Sequence, residues 1–203
     1  MKARQFHEAD DVADWRVVVG AGACAYFRTE SFSAGVRLVQ AISQMAEDRR
    51  PAVDIRHDGV TVRLAEPDLE LARRISAVAQ ELGVPADPSG VQNIQVSIDA
   101  LVISEVMPFW RAVLGYTDWG DEDLIDPHGC GPSIWFQQMD AARTQRNRIH
   151  IDVYVAHDQG EARVAAALAA GGRLVSDESA PSWWVLADPE GNEACIGTWL
   201  DRD

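Results

Sequence analysis

The stretch that most constrains this chain runs from residue 148 to 199, and above all its first eight residues, Arg148-Ile149-His150-Ile151-Asp152-Val153-Tyr154-Val155. Their alternation is strict. Ile149, Ile151, Val153 and Val155 share one side, while His150, Asp152 and Tyr154 share the other. A period of two predicts a strand with one face on a core. The opposite face would then point a histidine, a carboxylate and a phenol into one space. A helix is predicted next, with Ala162, Val164, Ala165, Leu168 and Ala169 as its small apolar positions and Gly171-Gly172 as a left-handed cap. Three strands are predicted after it, over residues 173–175, 182–187 and 193–199, with Asp188-Pro189-Glu190-Gly191-Asn192 as the turn between the last two. The order is β-α-β-β-β.

Residues 93–138 repeat it. Ile94, Val96 and Ile98 alternate with Asn93, Gln95 and Ser97. A helix is predicted over 106–116, a short strand or hairpin over 119–125, a loop over 126–132 that carries His128 and Cys130, and a last strand over 133–138. Residues 140–147 then connect two copies of one unit.

These residues resemble the vicinal oxygen chelate superfamily of glyoxalase-like and bleomycin-resistance-like proteins. The resemblance rests on His150 in RIHIDVYV, on Gly171-Gly172, on the DPEGN turn within WWVLADPEGNEACIGTW, and on Phe109-Trp110 with Leu114-Gly115-Tyr116 in the first copy. It implies two βαβββ modules forming a cup, with a ligand inside. Metal-dependent members take one metal ligand from the first and last strand of each module. By strand parity those positions fall at Asn93 (or Gln95), Gln137, His150 and Cys195. Neutral amides ligate weakly, and a thiol stands where a carboxylate is usual, so the set suits neither a hard cation nor tetrahedral zinc. No metal or other cofactor is therefore expected, a divalent ion on those four residues being the alternative.

His150 and Asp152 are the expected catalytic pair, as the acid/base groups of a lyase or isomerase. Asn93, Gln95, Trp135, Gln137, Tyr154, Trp183, Trp184, Cys195 and Trp199 are the expected substrate-binding residues. Trp183 and Trp184 should take opposite faces, one toward the ligand and one toward the core. Aromatic walls suit a planar or apolar metabolite. The competing reading is a protein that binds such a molecule, an antibiotic for instance, without transforming it.

The first ninety residues read as a separate α+β unit. Strands are predicted over 15–19, 23–29, 53–56 and 60–64, the last two joined by a His57-Asp58-Gly59 turn. One helix starts at a Ser31 or Ser33 cap and is stopped by Arg49-Arg50-Pro51, and another runs from Pro67-Asp68 to Gly83. Residues 15–83 resemble the pterin-4a-carbinolamine dehydratase family, with Arg49-Arg50-Pro51 where that family carries His-His-Pro. An arginine stays protonated at neutral pH and is no proton shuttle. The resemblance thus implies a degenerate member, with residual dehydratase activity as a minor alternative.

The expected organisation is α+β throughout: a domain over 1–84, a Pro- and Gly-bearing linker over 85–91, and paired modules over 92–203. A net charge of −14 argues against nucleic acid and anionic membranes as partners. Three cysteines without CxxC spacing, and an N-terminus without an apolar run, point to a reduced, cytoplasmic protein with a small-molecule ligand. Both resemblances imply a homodimer.

Overall fold

The computed structural model describes residues 2–142, 145 and 149–201. Arg148 and part of the 140–147 connection lie outside the described residues. The chain divides into two compact units, Met1–Asn93 and Ile94–Asp203. No helix among the described residues is long and apolar enough to cross a membrane.

In the first unit α1 (Ala3–His7) leads into β1 (Arg16–Val18), β2 (Gly22–Arg28), α2 (Phe32–Met45), β3 (Ala52–Ile55), β4 (Gly59–Leu64) and α3 (Leu69–Glu81). The strands form an antiparallel sheet in the order β1-β2-β4-β3. Ser31 and Asp68 cap the two long helices by accepting the amides of Ala34 and Leu71. Phe27, Leu38, Ile42, Val60, Val62, Leu71 and Ile75 close the core.

Three expectations for this unit need correction. α2 stops at Met45, short of the prolyl stop, because the chain turns at Glu47 with φ of 51°. Trp15 precedes the strand rather than opening it; its buried indole donates to the Ala72 carbonyl and to Ser76 Oγ. Val19 is 93% exposed beyond the strand's end. Residues 85–87 lie along the outer half of β2, where β1 no longer covers the edge. Arg28 N donates to the Pro85 carbonyl and Asp87 N to the Tyr26 carbonyl, each at 2.8 Å. Gly90 is required there, because a Cβ would stand 2.5 Å from the Tyr26 ring.

The second unit contains the βαβββ arrangement twice. The first copy is β5 (Gln95–Ala100), α4 (Ile103–Leu114), β6 (Thr117–Trp119), β7 (Asp123–Ile125) and β8 (Ser133–Gln138). The second is β9 (Ile151–Tyr154), α5 (Gly160–Ala169), β10 (Arg173–Ser176), β11 (Trp183–Ala187) and β12 (Glu193–Gly197). The sheet orders correspond, β5-β8-β7-β6 and β9-β12-β11-β10, with first and last strands parallel in both. Parallel neighbours need a crossover, and α4 and α5 supply it.

Both copies share one core, in which Phe109, Trp110 and Val113 of α4 meet Val164 and Ala167 of α5 above Ile98, Ile134, Phe136, Leu186, Ala194 and Ile196. The paired glycines after α5 divide their work. Gly171 takes φ of +95°, whereas Gly172 lets the Phe109 ring approach to where a Cβ would be only 2.4 Å from it. The DPEGN turn joins the copies. Asp188, fully buried, accepts Trp110 Nε1 at 3.0 Å as well as the Glu190 and Asn192 amides. The Glu190 carboxylate accepts the amides of Leu101 and Val102 at the start of α4.

Candidate functional site

Strand parity sorts the second module's sheet into two faces. Ile151, Val153, Trp184, Leu186, Ala194 and Ile196 face the core. On the other face, the register aligns two rows of three residues. Asp152, Cys195 and Val185 are cross-strand neighbours on β9, β12 and β11; one row on stand Tyr154, Gly197 and Trp183. His150 lies just ahead of β9, two residues from Asp152 and so on the same side.

His150 Nε2 and Asp152 Oδ1 are 3.1 Å apart, with side chains 51% and 44% exposed. One ligand-type atom each from His150, Asp152 and Cys195 falls within 4.8 Å of the others. The cause is local. Residues i and i+2 of a strand project together, and the parallel partner stands about 4.8 Å to the side. Tyr154 and Trp183 are both exposed, at 63% and 40%. Two strand spacings, roughly 10 Å, separate their backbones, and the strand between contributes only Gly197 to that row. The face thus carries two exposed aromatics in one row, next to a cluster of imidazole, carboxylate and thiol.

The first module's sheet has its own polar face. Gln95, Ser97 and Asp99 of β5 pair with Ser133, Trp135 and Gln137 of β8, and Asp123 of β7 pairs with Trp135. Gln95 Nε2 donates to Asp123 Oδ1 at 3.2 Å. Burial, reinforced by the charge of Glu122, pushes the Asp123 carboxyl above its ordinary range.

Several expected site residues take other places. Asn93 is not on the first strand; it belongs to the N-terminal unit, where its Nδ2 donates to the Val19 carbonyl at 3.0 Å. Gln95 is therefore the first polar position of β5. Trp199 lies beyond the end of β12 and packs edge-on against His157, centroids 5.4 Å apart, because Thr198 turns the chain by bonding back to Pro181 and Ser182. Trp184 packs toward the core and Trp183 outward. Ile149 is 81% exposed instead of in the core, since β12 begins at Glu193, leaving no core-facing partner for it.

The expected metal set does not assemble as expected either. Asn93 lies in the N-terminal unit, Gln137 stands on the first module's last strand as expected, and Asp152, absent from that set, joins His150 and Cys195. No sequence signal marks Asp123, because residues 119–125 predict only a short strand or hairpin without a parity.

One imidazole, one carboxylate and one thiol suit a borderline ion such as Zn2+ and do not suit Mg2+ or Ca2+, which take oxygen ligands throughout. His150, Asp152 and Cys195 would hold such an ion, and it would supply Lewis acidity toward a ligand oxygen.

Two recesses lie away from this face. One, of about 610 Å3, is lined by residues of α4, the 118–122 hairpin and Gln138, with Arg111 ion-paired to Asp118. It contains no histidine or cysteine. The other, of about 600 Å3 in the N-terminal unit, surrounds Arg49, Arg50 and Pro51. Arg49 is paired with Asp68 at 2.9 Å and Glu70 at 3.0 Å.

The repeated βαβββ sheets and the match of a glyoxalase-like domain model to residues 95–197 agree, and the chain belongs to the glyoxalase-like domain family. Among solved structures it is similar to a glyoxalase/bleomycin resistance protein/dioxygenase family enzyme from Burkholderia phytofirmans PsJN, at 22% identity over 52% of this chain and 97% of that one, with a TM-score of 0.43. A glyoxalase-related enzyme from Fulvimarina pelagi matches at 17% identity over 53% and 86%, TM-score 0.40. The fosfomycin resistance protein FosX from Mesorhizobium loti matches at 9% identity over 54% and 91%, TM-score 0.41. No curated protein matches the chain.

Proposed function

We propose that the C-terminal unit binds a small, planar-ringed molecule bearing adjacent oxygens, and that His150 moves a proton on it. The observation that carries this reading is the 3.1 Å pairing of His150 Nε2 with Asp152 Oδ1, on the same face as Tyr154 and Trp183. A neutral imidazole that donates its Nε2 hydrogen to a carboxylate keeps a lone pair on Nδ1. Asp152 then fixes the tautomer and orients the ring, and Nδ1 is the base. A ring seated between Tyr154 and Trp183 would direct its oxygen substituents along the strand toward Asp152 and His150. Removal of a proton from the carbon beside a carbonyl, and its return one atom away, is an isomerisation; loss of a neighbouring group instead is a lyase reaction. Both need only this base and a polarised oxygen.

A binding protein without chemistry is the second reading. The exposed aromatic pair favours it, since a slot between Tyr154 and Trp183 can hold a flat ring with no proton transfer. Titration with 2-hydroxyacetophenone, followed by tryptophan fluorescence, tests the shared step. Quenching that disappears in Trp183→Ala supports the slot, and quenching unchanged by that substitution removes it from the account. Conversion of the compound separates catalysis from binding.

For the N-terminal unit we propose a pterin-dehydratase-like scaffold without dehydratase chemistry. The support is that Arg49 and Arg50 occupy the position of the histidines that such chemistry would need, and that Arg49 is already engaged by Asp68 and Glu70.

A further inference from the structure

We infer that the recess around Arg49, Arg50 and Pro51 in the N-terminal unit binds a small organic monocarboxylate, with both guanidinium groups on the carboxylate and an apolar wall against its body. The inference does not rest on the chemistry proposed for the C-terminal unit. It gives the N-terminal unit a ligand without giving it a proton shuttle.

Three observations carry it. The first is an unmet donor. Arg49 Nε donates to Asp68 Oδ2 at 2.9 Å and Nη2 to Glu70 Oε2 at 3.0 Å, but Nη1 is buried and has no acceptor among the described residues. Leaving a charged donor in that state is costly, and a bound acceptor is one of the few things that accounts for it. Tied on two edges, the guanidinium is preorganised, so less ordering remains when an acceptor arrives. The second is a spare charge. Arg50 is exposed, lines the same recess and has no partner among the described residues. The third is the recess itself. Its volume of about 600 Å3 is that of a small-molecule site, and Pro51, Leu64, Leu69 and Leu71 supply apolar wall beside the two arginines.

The lining also selects the anion. Glu66 and Asp68 border the recess. Asp68 is committed, through one oxygen to Arg49 and through the other to the Leu71 amide. Like charges set side by side are penalised, and a dianion such as phosphate meets that penalty twice over. A monocarboxylate meets it once and matches the planar fork of an arginine. The apolar wall then rewards an apolar body, which an inorganic anion lacks. A net charge of −14 gives the chain no general attraction for anions, so the binding has to come from Arg49 and Arg50 themselves.

The test is a titration of the full chain with benzoate, followed by two-dimensional proton–nitrogen NMR that includes the arginine Nε–H signals. Saturable shifts should appear at the Arg49 Nε–H and at the amides of residues 49, 50 and 64–66. Benzamide, the neutral analogue, and inorganic phosphate should each bind at least about tenfold more weakly, as should benzoate to Arg50→Ala, which removes a charged donor. Arg49→Lys keeps the charge, removes Nη1 and should weaken benzoate by a similar factor, its amide spectrum establishing that it is folded. Arg50 is exposed, so Arg50→Ala decides the matter even where Arg49→Lys does not fold. Absence of saturable shifts at millimolar benzoate would overturn the site. So would equal binding of benzamide, which leaves only an apolar recess, equal binding of phosphate, which leaves only unspecific charge attraction, or unweakened binding in Arg50→Ala. The reporting signals belong to the N-terminal unit, so this result and the fluorescence titration with 2-hydroxyacetophenone fail or succeed separately.

Discussion

The carboxylate of Asp188 accepts the indole N–H of Trp110 at 3.0 Å, both side chains being buried, and so ties the last turn of the second module to the helix of the first. The DPEGN turn is thereby a clamp between modules, outside the candidate site. Trp110→Phe keeps most of the packing and removes one hydrogen bond to a charged group, which should cost about 1.5–3 kcal/mol. Asp188→Ala strips the Trp110, Glu190 and Asn192 donors at once and should cost more, on the order of 3–5 kcal/mol. Urea unfolding followed by tryptophan fluorescence measures both.

Glu190 should matter for a separate reason. Val102, the N-cap of α4, provides no side-chain cap, and the Glu190 carboxylate takes its place by accepting the amides of Leu101 and Val102. Glu190→Ala should cost about 1–2 kcal/mol, as losing a good cap does. Glu190→Gln, which keeps an acceptor, should cost less. Thermal unfolding of the pair distinguishes capping from bulk.

The loop over 126–131 should be sensitive to acid and not to base. Burial acts to raise the Asp126 carboxyl, but the amides of His128, Gly131 and Cys130 outweigh it and hold the carboxyl below its ordinary value. A depressed folded value means a contribution that is complete above the unfolded value, about 3.9, and is lost as pH falls through the folded one. Amide hydrogen exchange at Cys130 and Gly131 should therefore show protection that is flat from neutral pH to about pH 5 and gone at lower pH, after correction for intrinsic rates. Asp126→Asn should lose part of that protection at every pH.

The three cysteines should react in a fixed order. Cys130 is exposed, Cys195 is half-buried, and Cys24 is buried. Burial raises the Cys24 thiol above its ordinary range, against the opposing pull of Arg63. The thiolate is the reactive form, so alkylation of the folded protein should modify Cys130 first, then Cys195, with Cys24 labelled only on unfolding. Peptide mapping over a time course reads the order.

Much of this was legible in the chain because the period-2 pattern is local. Ile151, Val153 and Asp152 could be assigned to faces from spacing alone, and both βαβββ orders followed from alternation, helix periodicity and the Gly171-Gly172 stop. What was not legible depends on where pairing begins and ends. Ile149 fits the alternation yet lies beyond the reach of β12, and Trp199 fits the parity of Cys195 yet has left the strand. Asn93 reads as a strand residue of the paired modules until its carboxamide is seen on Val19 of its own N-terminal unit. The DPEGN turn was recognisable as a motif, but its bond to Trp110 spans 78 residues, and no spacing in the sequence announces that partner.

The central claim is that His150, held by Asp152, moves a proton on a ligand bound beside Tyr154 and Trp183. The most direct test is hydrogen–deuterium exchange at the carbon beside the carbonyl of 2-hydroxyacetophenone, followed by NMR in D2O with metal-stripped protein. The account predicts exchange faster than in buffer, reduced by at least about 100-fold in His150→Ala, the lower end of what a general base contributes, with the fold unchanged. Exchange at the same rate in wild type and His150→Ala would contradict it.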